Sequence, residues 1–206
     1  LHGLPQGVRA GSLAAAMTEH GDVVTRFYAQ AAEFHSRAFV ALNTALAADG
    51  AYLYVPDGTV LEQPIEILYV AAGDSSASEM VQARTLIVAG DRSEARIVET
   101  WVAVRGGAYF TNAVTEVFAG EHAVVDHYKV QQEGLDAFHV ATMQINAQRS
   151  ANVSSHSFSL GGRFVRNDAG AVLDGDGAEV TLNGLYLADG ERLVDNHTTI
   201  DHAQPH

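Results

Sequence analysis

The first fifty residues carry hydrophobic positions at helical spacing. Ser12 is a suitable N-cap for a run that carries Leu13 and Ala16. Gly21 is placed to end that run in a left-handed conformation, and Asp22 to cap a second run. The pattern predicts two short helices in succession.

A further helical run follows before residue 50. Phe39, Leu42 and Leu46 fall at positions i, i+3 and i+7, which lie on one face of a helix that Asp49-Gly50 ends. We expect this face to pack against the domain that follows. The sequence therefore predicts a short α-helical region over residues 1–50.

Beyond Asp49-Gly50 the hydrophobic period changes to that of β-strands. Short apolar runs are separated by glycine-containing turns, and Val180 and Leu182 alternate with polar residues, as in a strand buried on one face. The β-type runs are 51–55, 65–70, 85–89, 95–104, 109–118, 123–130, 137–146, 153–160, 178–182 and 185–187. The pattern predicts a mainly β domain over residues 51–206.

One turn and strand unit occurs twice. The tripeptide Ala89-Gly90-Asp91 precedes a β-type run, and Ala119-Gly120-Glu121 precedes another about 30 residues later. A repeat of this length favours a solenoid, in which each coil stacks on the next. A β-sandwich also places similar turns at intervals, so the repeat leaves both architectures open.

Composition narrows the classes of partner. The formal charge is -13, with 25 acidic and 12 basic side chains, which disfavours nucleic acid and anionic membrane surfaces. No apolar run reaches the roughly 18 residues of a membrane span. The chain has no cysteine, so it offers neither disulfides nor thiolate ligands. A cytoplasmic protein is expected, and the first residue, Leu1, suggests a piece of a longer one.

Several blocks of the sequence occur in the same order as in a known family. They are residues 42–46, 55–58, 109–116, 125–129, 155–162, 173–179, 183–187 and 194–206. The block at 194–206 is the most specific, since it ends in a Pro205-His206 pair. The sequence resembles the SufD type of the SufB/SufD family of iron–sulfur cluster assembly proteins.

The resemblance implies a right-handed parallel β-helix preceded by the short helical region. It implies a non-catalytic scaffold in a SufBCD complex, paired with a SufB-like subunit or a second copy through the β-helix core. A SufC-like ATPase would bind a C-terminal helical region expected after residue 206. The sequence agrees in having no phosphate-binding loop, and its one lysine, Lys129, lies in a strand-like run.

The same resemblance implies that an iron–sulfur cluster is handled transiently in the full complex. No cofactor is expected on this stretch of chain, and no catalytic residue is predicted in it. Whether such a subunit acquires iron or supports its SufB-like partner is left open by the sequence, as is the choice between a homodimer and a heterodimer.

Four residues near the end of the sequence form the densest set of potential metal ligands, His197, Asp201, His202 and His206. Imidazole and carboxylate groups suit iron or zinc. If this segment is a strand, His197 and Asp201 share one face while His202 points to the other. The alternative for these histidines is a strand edge or a subunit interface.

Three other histidines are interpreted from their strand phase. His139 is in phase with apolar residues on its own run, as is His156, which predicts hydrogen-bonded histidines in the core. The pair Asp126-His127 suggests acid–base chemistry, but adjacent strand residues face opposite sides. We therefore expect no catalytic dyad there.

Two other classes of function remain as alternatives. A cupin-like metalloenzyme needs a His-x-His motif, which the sequence lacks. A β-helical carbohydrate-active enzyme could use Asp174, Asp176 and Glu179, although their glycine-rich spacing is more typical of a turn. A self-associating β-helix module without a cluster role is the third possibility.

Overall fold

The computed structural model describes residues 3–72, 79–104 and 106–204. The helices are α1 Leu13–Glu19, α2 Gly21–Phe27 and α3 Ala38–Leu46. The strands are β1 Arg9–Ser12, β2 Asp49–Val55, β3 Ile65–Ala71, β4 Glu79–Ala89, β5 Glu94–Ala103, β6 Tyr109–Ala119, β7 Val124–Gln132, β8 Phe138–Ala147, β9 Asn152–Ser159, β10 Phe164–Leu173, β11 Glu179–Tyr186 and β12 Leu193–His202.

From β2 onward, successive strands alternate between two sheets. One sheet has the order β1-β2-β4-β6-β8-β10-β12, and the other has the order β11-β9-β7-β5-β3. Among the described strands every pairing is parallel except that of β1 with β2, so the chain winds through about five turns of a parallel β-helix. The predicted fold class, a mainly β parallel β-helix preceded by short helices, is confirmed.

The turn repeat is part of this winding. Residues Gly90 and Gly120 occupy equivalent corners of successive coils, and the Glu121 N–H donates to Oδ1 of Asp91 at 2.9 Å. A side chain on Gly120 would bring its Cβ within 2.8 Å of the Asp91 main-chain nitrogen. Glycine is needed here because the coil beneath is too close for any Cβ.

The apolar part of the interior is built as a ladder. Leu53, Ile87, Val117, Ile145 and Ala171 stand in register on five neighbouring strands, and each is at most 1% exposed. Each aliphatic side chain therefore packs on the one in the next coil. Burial of such a row stabilises the stack by about 25 cal/mol for each Å² of apolar surface removed from water.

Two predictions about the first helices have opposite outcomes. Ser12 is the N-cap of α1, because its Oγ accepts the N–H of Ala15, as predicted. The predicted left-handed C-cap at Gly21 is wrong. Helix α1 ends at Glu19 and Gly21 opens α2, so Asp22 lies in the first turn of α2 instead of capping it.

Helix α3 is present, but its predicted buried face is wrong. Phe39 is 42% and Leu46 is 51% exposed, whereas Val40 and Asn43 are buried. The reason is polar, since Nδ2 of Asn43 donates to main-chain carbonyls of both β4 and β6. Two hydrogen bonds to the sheet set the rotation of the helix about its axis.

A buried ion pair fastens the N-terminal region to the outside of the seven-stranded sheet. Arg84 and Glu116 project outward from β4 and β6, with Nη2 and Oε2 2.7 Å apart and both side chains fully buried. The Glu116 carboxylate also accepts the N–H groups of Ala29, Ala31 and Ala32. One side chain thus neutralises a buried cation and orders the segment between α2 and α3.

No helix in the described part of the chain is both long and apolar enough to cross a membrane.

Strand β10, which was not among the predicted β-type runs, lies between β8 and β12 in the seven-stranded sheet. Its polar residues Arg166, Asn167 and Asp168 interrupt the apolar pattern, although its backbone pairing is continuous.

Replacing Gly120 by alanine should lower the free energy of unfolding by about 2 kcal/mol, because the new Cβ overlaps the backbone of the preceding coil. Urea denaturation would measure the loss. Gly134→Ala is the matched control, since nothing lies within 4 Å of a Cβ at that turn glycine. Equal stability of the two variants would contradict the stacking argument.

Replacing Glu116 by glutamine should cost roughly 3 kcal/mol, because it leaves the Arg84 guanidinium buried without a counter-charge. Limited proteolysis should then cut the segment between α2 and α3 faster. The control is Glu121→Gln, which removes an exposed pair with Arg149 and should leave both readouts unchanged. Protection equal to that of the parent chain in Glu116→Gln would be evidence against this anchor.

Candidate functional site

The inward side chains change from apolar to polar toward one corner of each coil. Along β7 they run Val125, His127, Lys129 and Gln131, all of them buried. This corner lies where strands of the five-stranded sheet end and strands of the seven-stranded sheet begin. We call its ionisable groups and their amide partner the interior polar cluster, which consists of Glu99, His127, Lys129, Glu133, His139 and Asn167.

Lys129 occupies the centre of the interior polar cluster. Its Nζ lies 2.9 Å from Nε2 of His139 and donates to Oδ1 of Asn167 at 3.0 Å. Burial lowers the pKa of Lys129 to about 8, against the opposing charges of Glu99 and Glu133. At neutral pH the ammonium is therefore still the main form, and it has two direct partners.

His139 links this lysine to a carboxylate. Because the ammonium donates to Nε2, the imidazole proton is assigned to Nδ1, which lies 2.6 Å from Oε2 of Glu133. Burial lowers the pKa of His139, and the charge of Lys129 lowers it further. His139 is therefore a neutral relay between a cation and an anion.

Glu133 is held by three side chains. Thr111 donates to Oε1 at 2.8 Å and Gln131 donates to Oε2 at 3.0 Å, in addition to the His139 contact. Burial alone would raise the pKa of Glu133, but His139 and these hydrogen bonds lower it to about 2. The residue is an anion over the whole physiological range.

Glu99 is the second buried carboxylate. The Trp101 indole donates to Oε1 at 2.7 Å, and Thr115 donates to Oε2 at 3.2 Å. Nε2 of His127 lies 3.6 Å from Oε2. Burial would raise the pKa of Glu99, yet His127 and the charge of Lys129 lower it to about 2. The carboxylate is thus ionised in a place that water scarcely reaches.

A cavity of about 310 Å³ adjoins these groups between the two sheets. Glu99, His127 and Lys129 line it, with Ser157 and Asn183 among the neutral polar residues. This shielded space has two carboxylates, one ammonium and imidazole groups beside it. Together these groups are able to bind a small charged or polar species. The same groups are also able to exchange protons with it.

Three of the predicted metal ligands lie on the exposed strand β12, and one of them, His197, also lines this cavity. His197 contacts Asp195, with Nε2 and Oδ1 2.9 Å apart. His197 and Asp201 are four residues apart on one face of β12, about 13 Å from one another, and His202 is on the other face. His206 lies outside the described residues. In the described ranges, no three His, Asp or Glu side chains are grouped to hold a metal.

The structure separates the other predicted histidines. His139 is a fully buried, bonded core residue, as predicted. The core assignment of His156 is wrong, because it lies on the outer face of the five-stranded sheet and stacks on Tyr128 with ring centroids 5.0 Å apart. Asp126 points outward and His127 inward, as predicted from their adjacency in a strand.

The strand pattern alone did not single out Glu99, Glu133 or Lys129 as site residues. A signal for them exists, because His127 and Lys129 are in phase with the buried Val125. Polar residues at inward phase on a strand predict a polar interior. Asp176, one of the carboxylates considered for a carbohydrate-active site, lies in the turn between β10 and β11, which agrees with its assignment to a turn.

Both parts of the chain match models of known protein families. The family model "SUF system FeS cluster assembly, SufBD core domain" matches residues 70–206, and "SufBD protein N-terminal region" matches residues 1–67.

Individual relatives agree with the family models. An iron–sulfur cluster assembly SufBD family protein of Synechocystis is 29% identical over 176 residues, covering 82% of this chain and 39% of that protein. SufD of Escherichia coli is 25% identical over 167 residues, with 80% and 39% covered. Protein ABCI7, chloroplastic, of Arabidopsis thaliana is 26% identical over 203 residues, with 96% and 42% covered. The chain thus spans about two fifths of the length of these relatives.

Glu133→Gln should make the stability of the protein less dependent on acid. In the folded protein the pKa of Glu133 is lowered to about 2 from an ordinary 4.5. The ionised carboxylate therefore stabilises the fold fully above pH 4.5, and this stabilisation is lost as the pH falls toward 2. The variant should lose roughly 3 kcal/mol at neutral pH and show a flatter slope below pH 4.5. Urea titrations at several pH values measure both.

Asp136→Asn provides the control, because Asp136 is exposed in the turn between β7 and β8. Its stability should follow that of the parent protein at every pH. An acid slope in Glu133→Gln as steep as that of the parent would show that Glu133 does not carry the linkage.

Proposed function

Because the chain belongs to the SufBD family of iron–sulfur cluster assembly proteins, we propose that it is part of a SufD-type scaffold subunit in a SufBCD-type assembly complex. The observation that carries the proposal is the match of the family core over residues 70–206, which are folded as a parallel β-helix. In this proposal the chain positions partners and handles iron or clusters in passing. It does not itself catalyse a reaction.

The proposed partner of the β-helix is a SufB-like subunit or a second copy. Leu185 on β11 lies on the outer face of the five-stranded sheet, in register with Phe158 of β9, and is 53% exposed. Exposed apolar side chains on a sheet face favour association with another chain. The outer face of this sheet around Leu185 is the proposed interface.

The remaining parts of the proposal concern the whole complex. A SufC-like ATPase would supply ATP hydrolysis, and the cytosol is the proposed location. Since β12 spaces its potential ligands widely, iron held by His197, Asp201, His202 or His206 would need additional groups from a partner. Such a shared site would suit a transient cargo.

Tagged chain co-expressed with SufB-like and SufC-like proteins of the same genome should retain the SufB-like subunit through affinity purification and gel filtration. Leu185→Asp should reduce that retention at least about tenfold, because it buries a charge at the proposed interface. Leu68→Asp is the matched control, since Leu68 stands in the same row of the sheet, on the opposite edge strand, and is 55% exposed.

Iron and sulfide supplied anaerobically should give stable cluster absorbance with the co-purified complex and none with this chain alone, which has no cysteine. A stand-alone monomer with glycosidase or lyase turnover would overturn the proposal. A stable assembly of this chain only with itself would favour the self-associating module.

A further inference from the structure

We propose that Glu99 and His127 form a binding site for one divalent first-row transition-metal ion inside the β-helix. This inference deepens the proposed function, on which the identity of the cargo as Fe²⁺ rests. The site's two ligands are not among the metal ligands predicted from the sequence, although His197 of β12 lines the same cavity. Its two ligands come from β5 and β7, which pair in parallel in the five-stranded sheet.

The separation of the two ligand atoms fits an ion between them. Nε2 of His127 and Oε2 of Glu99 are 3.6 Å apart, which is too long for a good hydrogen bond. Two atoms that each lie about 2.1 Å from one metal ion at a near-tetrahedral angle are about 3.5 Å from each other. The gap therefore has the width of a shared ion.

His127 has an available ligand atom. The side chain is 1% exposed, and its buried Nε2 has no hydrogen-bond partner within 3.5 Å, the Glu99 carboxylate being 3.6 Å away. A buried polar atom without a partner costs about 1–3 kcal/mol, which a bound metal ion would offset. The residue also lines the cavity, so its imidazole borders a space that an ion is able to enter.

Both ligands are already oriented by neighbours. Nδ1 of His127 lies 3.2 Å from Oγ of Ser155, and Oε1 of Glu99 accepts a hydrogen bond from Trp101. Metal-binding imidazoles and carboxylates are commonly held in this way through the atoms that do not bind the metal. The arrangement limits the motion of both ligands before an ion arrives.

The charges in the interior polar cluster favour a cation over an anion. Two carboxylates, Glu99 and Glu133, face one ammonium, Lys129, whose Nζ is directed to His139 and Asn167. Among these three groups, two negative charges face one positive charge in a buried place. A bound cation next to Glu99 would supply the missing positive charge.

The cavity determines how firmly an ion is held. Because the protein supplies two ligands, the remaining coordination positions of the ion would be filled by water or by neutral groups that line the cavity, such as Ser157 and Thr142. Imidazole with carboxylate suits Fe²⁺, Co²⁺ or Zn²⁺ better than Mg²⁺. Open positions keep the ion exchangeable, as a cargo requires.

The protein contains its own reporter for this site. Trp101 is the only tryptophan, and its indole hydrogen-bonds directly to Glu99. Anaerobic titration of the chain with Fe²⁺ or Co²⁺ should therefore quench tryptophan fluorescence in a saturable way at one ion per chain. Mg²⁺ at the same concentrations should leave the emission unchanged.

Glu99→Gln and His127→Gln should each weaken Co²⁺ binding at least about tenfold in the same titration. His197→Gln serves as the control and should retain the parent affinity, because it removes a histidine that lines the cavity but does not belong to the proposed pair. Circular dichroism and thermal unfolding would establish that each variant is folded.

X-ray absorption of the Co²⁺-loaded parent protein tests the same ligands without a substitution, and it should show one imidazole. No saturable quenching in the parent chain would overturn the inference and leave His127 as a neighbour of Glu99 that binds no metal. Loss of binding in His197→Gln alone would also overturn it, by placing the ion on β12. Retention of the SufB-like subunit is measured separately, so either proposal can fail without the other.

Discussion

Each coil of the β-helix hydrogen-bonds to the next in parallel and in register, so that an inward residue of one coil lies directly over an inward residue of the next. The pairs Ile97 with His127 and His127 with Ser155 show this for the five-stranded sheet. The backbone is thereby satisfied whatever the side chains are. The register then determines which side chains meet, and it separates an apolar corner from a charged one.

Two networks of directly partnered charges are buried in the protein. Outside the seven-stranded sheet, the pair Arg84 and Glu116 fastens the segment between α2 and α3. Inside, Lys129 and Glu133 are joined through His139. Removing water from such groups costs several kcal/mol per ion, and the direct partners offset that cost. Both networks connect strands from different coils, so each depends on the stacking that places its members together.

The sequence predicted the elements better than their orientation. Alternation and turn glycines give most of the strands, since these signals are local to a few residues. The buried face of α3 was predicted wrongly, because the hydrogen bonds of Asn43 to two distant strands outweigh an apolar stripe. The sequence predicted His156 in the core, because alternation along a strand does not distinguish its inner face from an outer face on which aromatic rings stack. Glu99 and His127 meet only through register, a relation between coils that no local pattern contains.

The two corners of the β-helix interior solve the same packing problem with different side chains. At the apolar corner, residues such as Ile87 and Val117 fill the space between the sheets with no polar group to satisfy. Aliphatic side chains at the charged corner would fill it equally well, and replacing buried ion pairs in this way is often neutral or stabilising. Stability alone therefore gives no reason for Glu99, Lys129 and Glu133 to be there. Their presence beside a cavity, on a backbone that fixes their spacing, is better explained by a species that the interior binds.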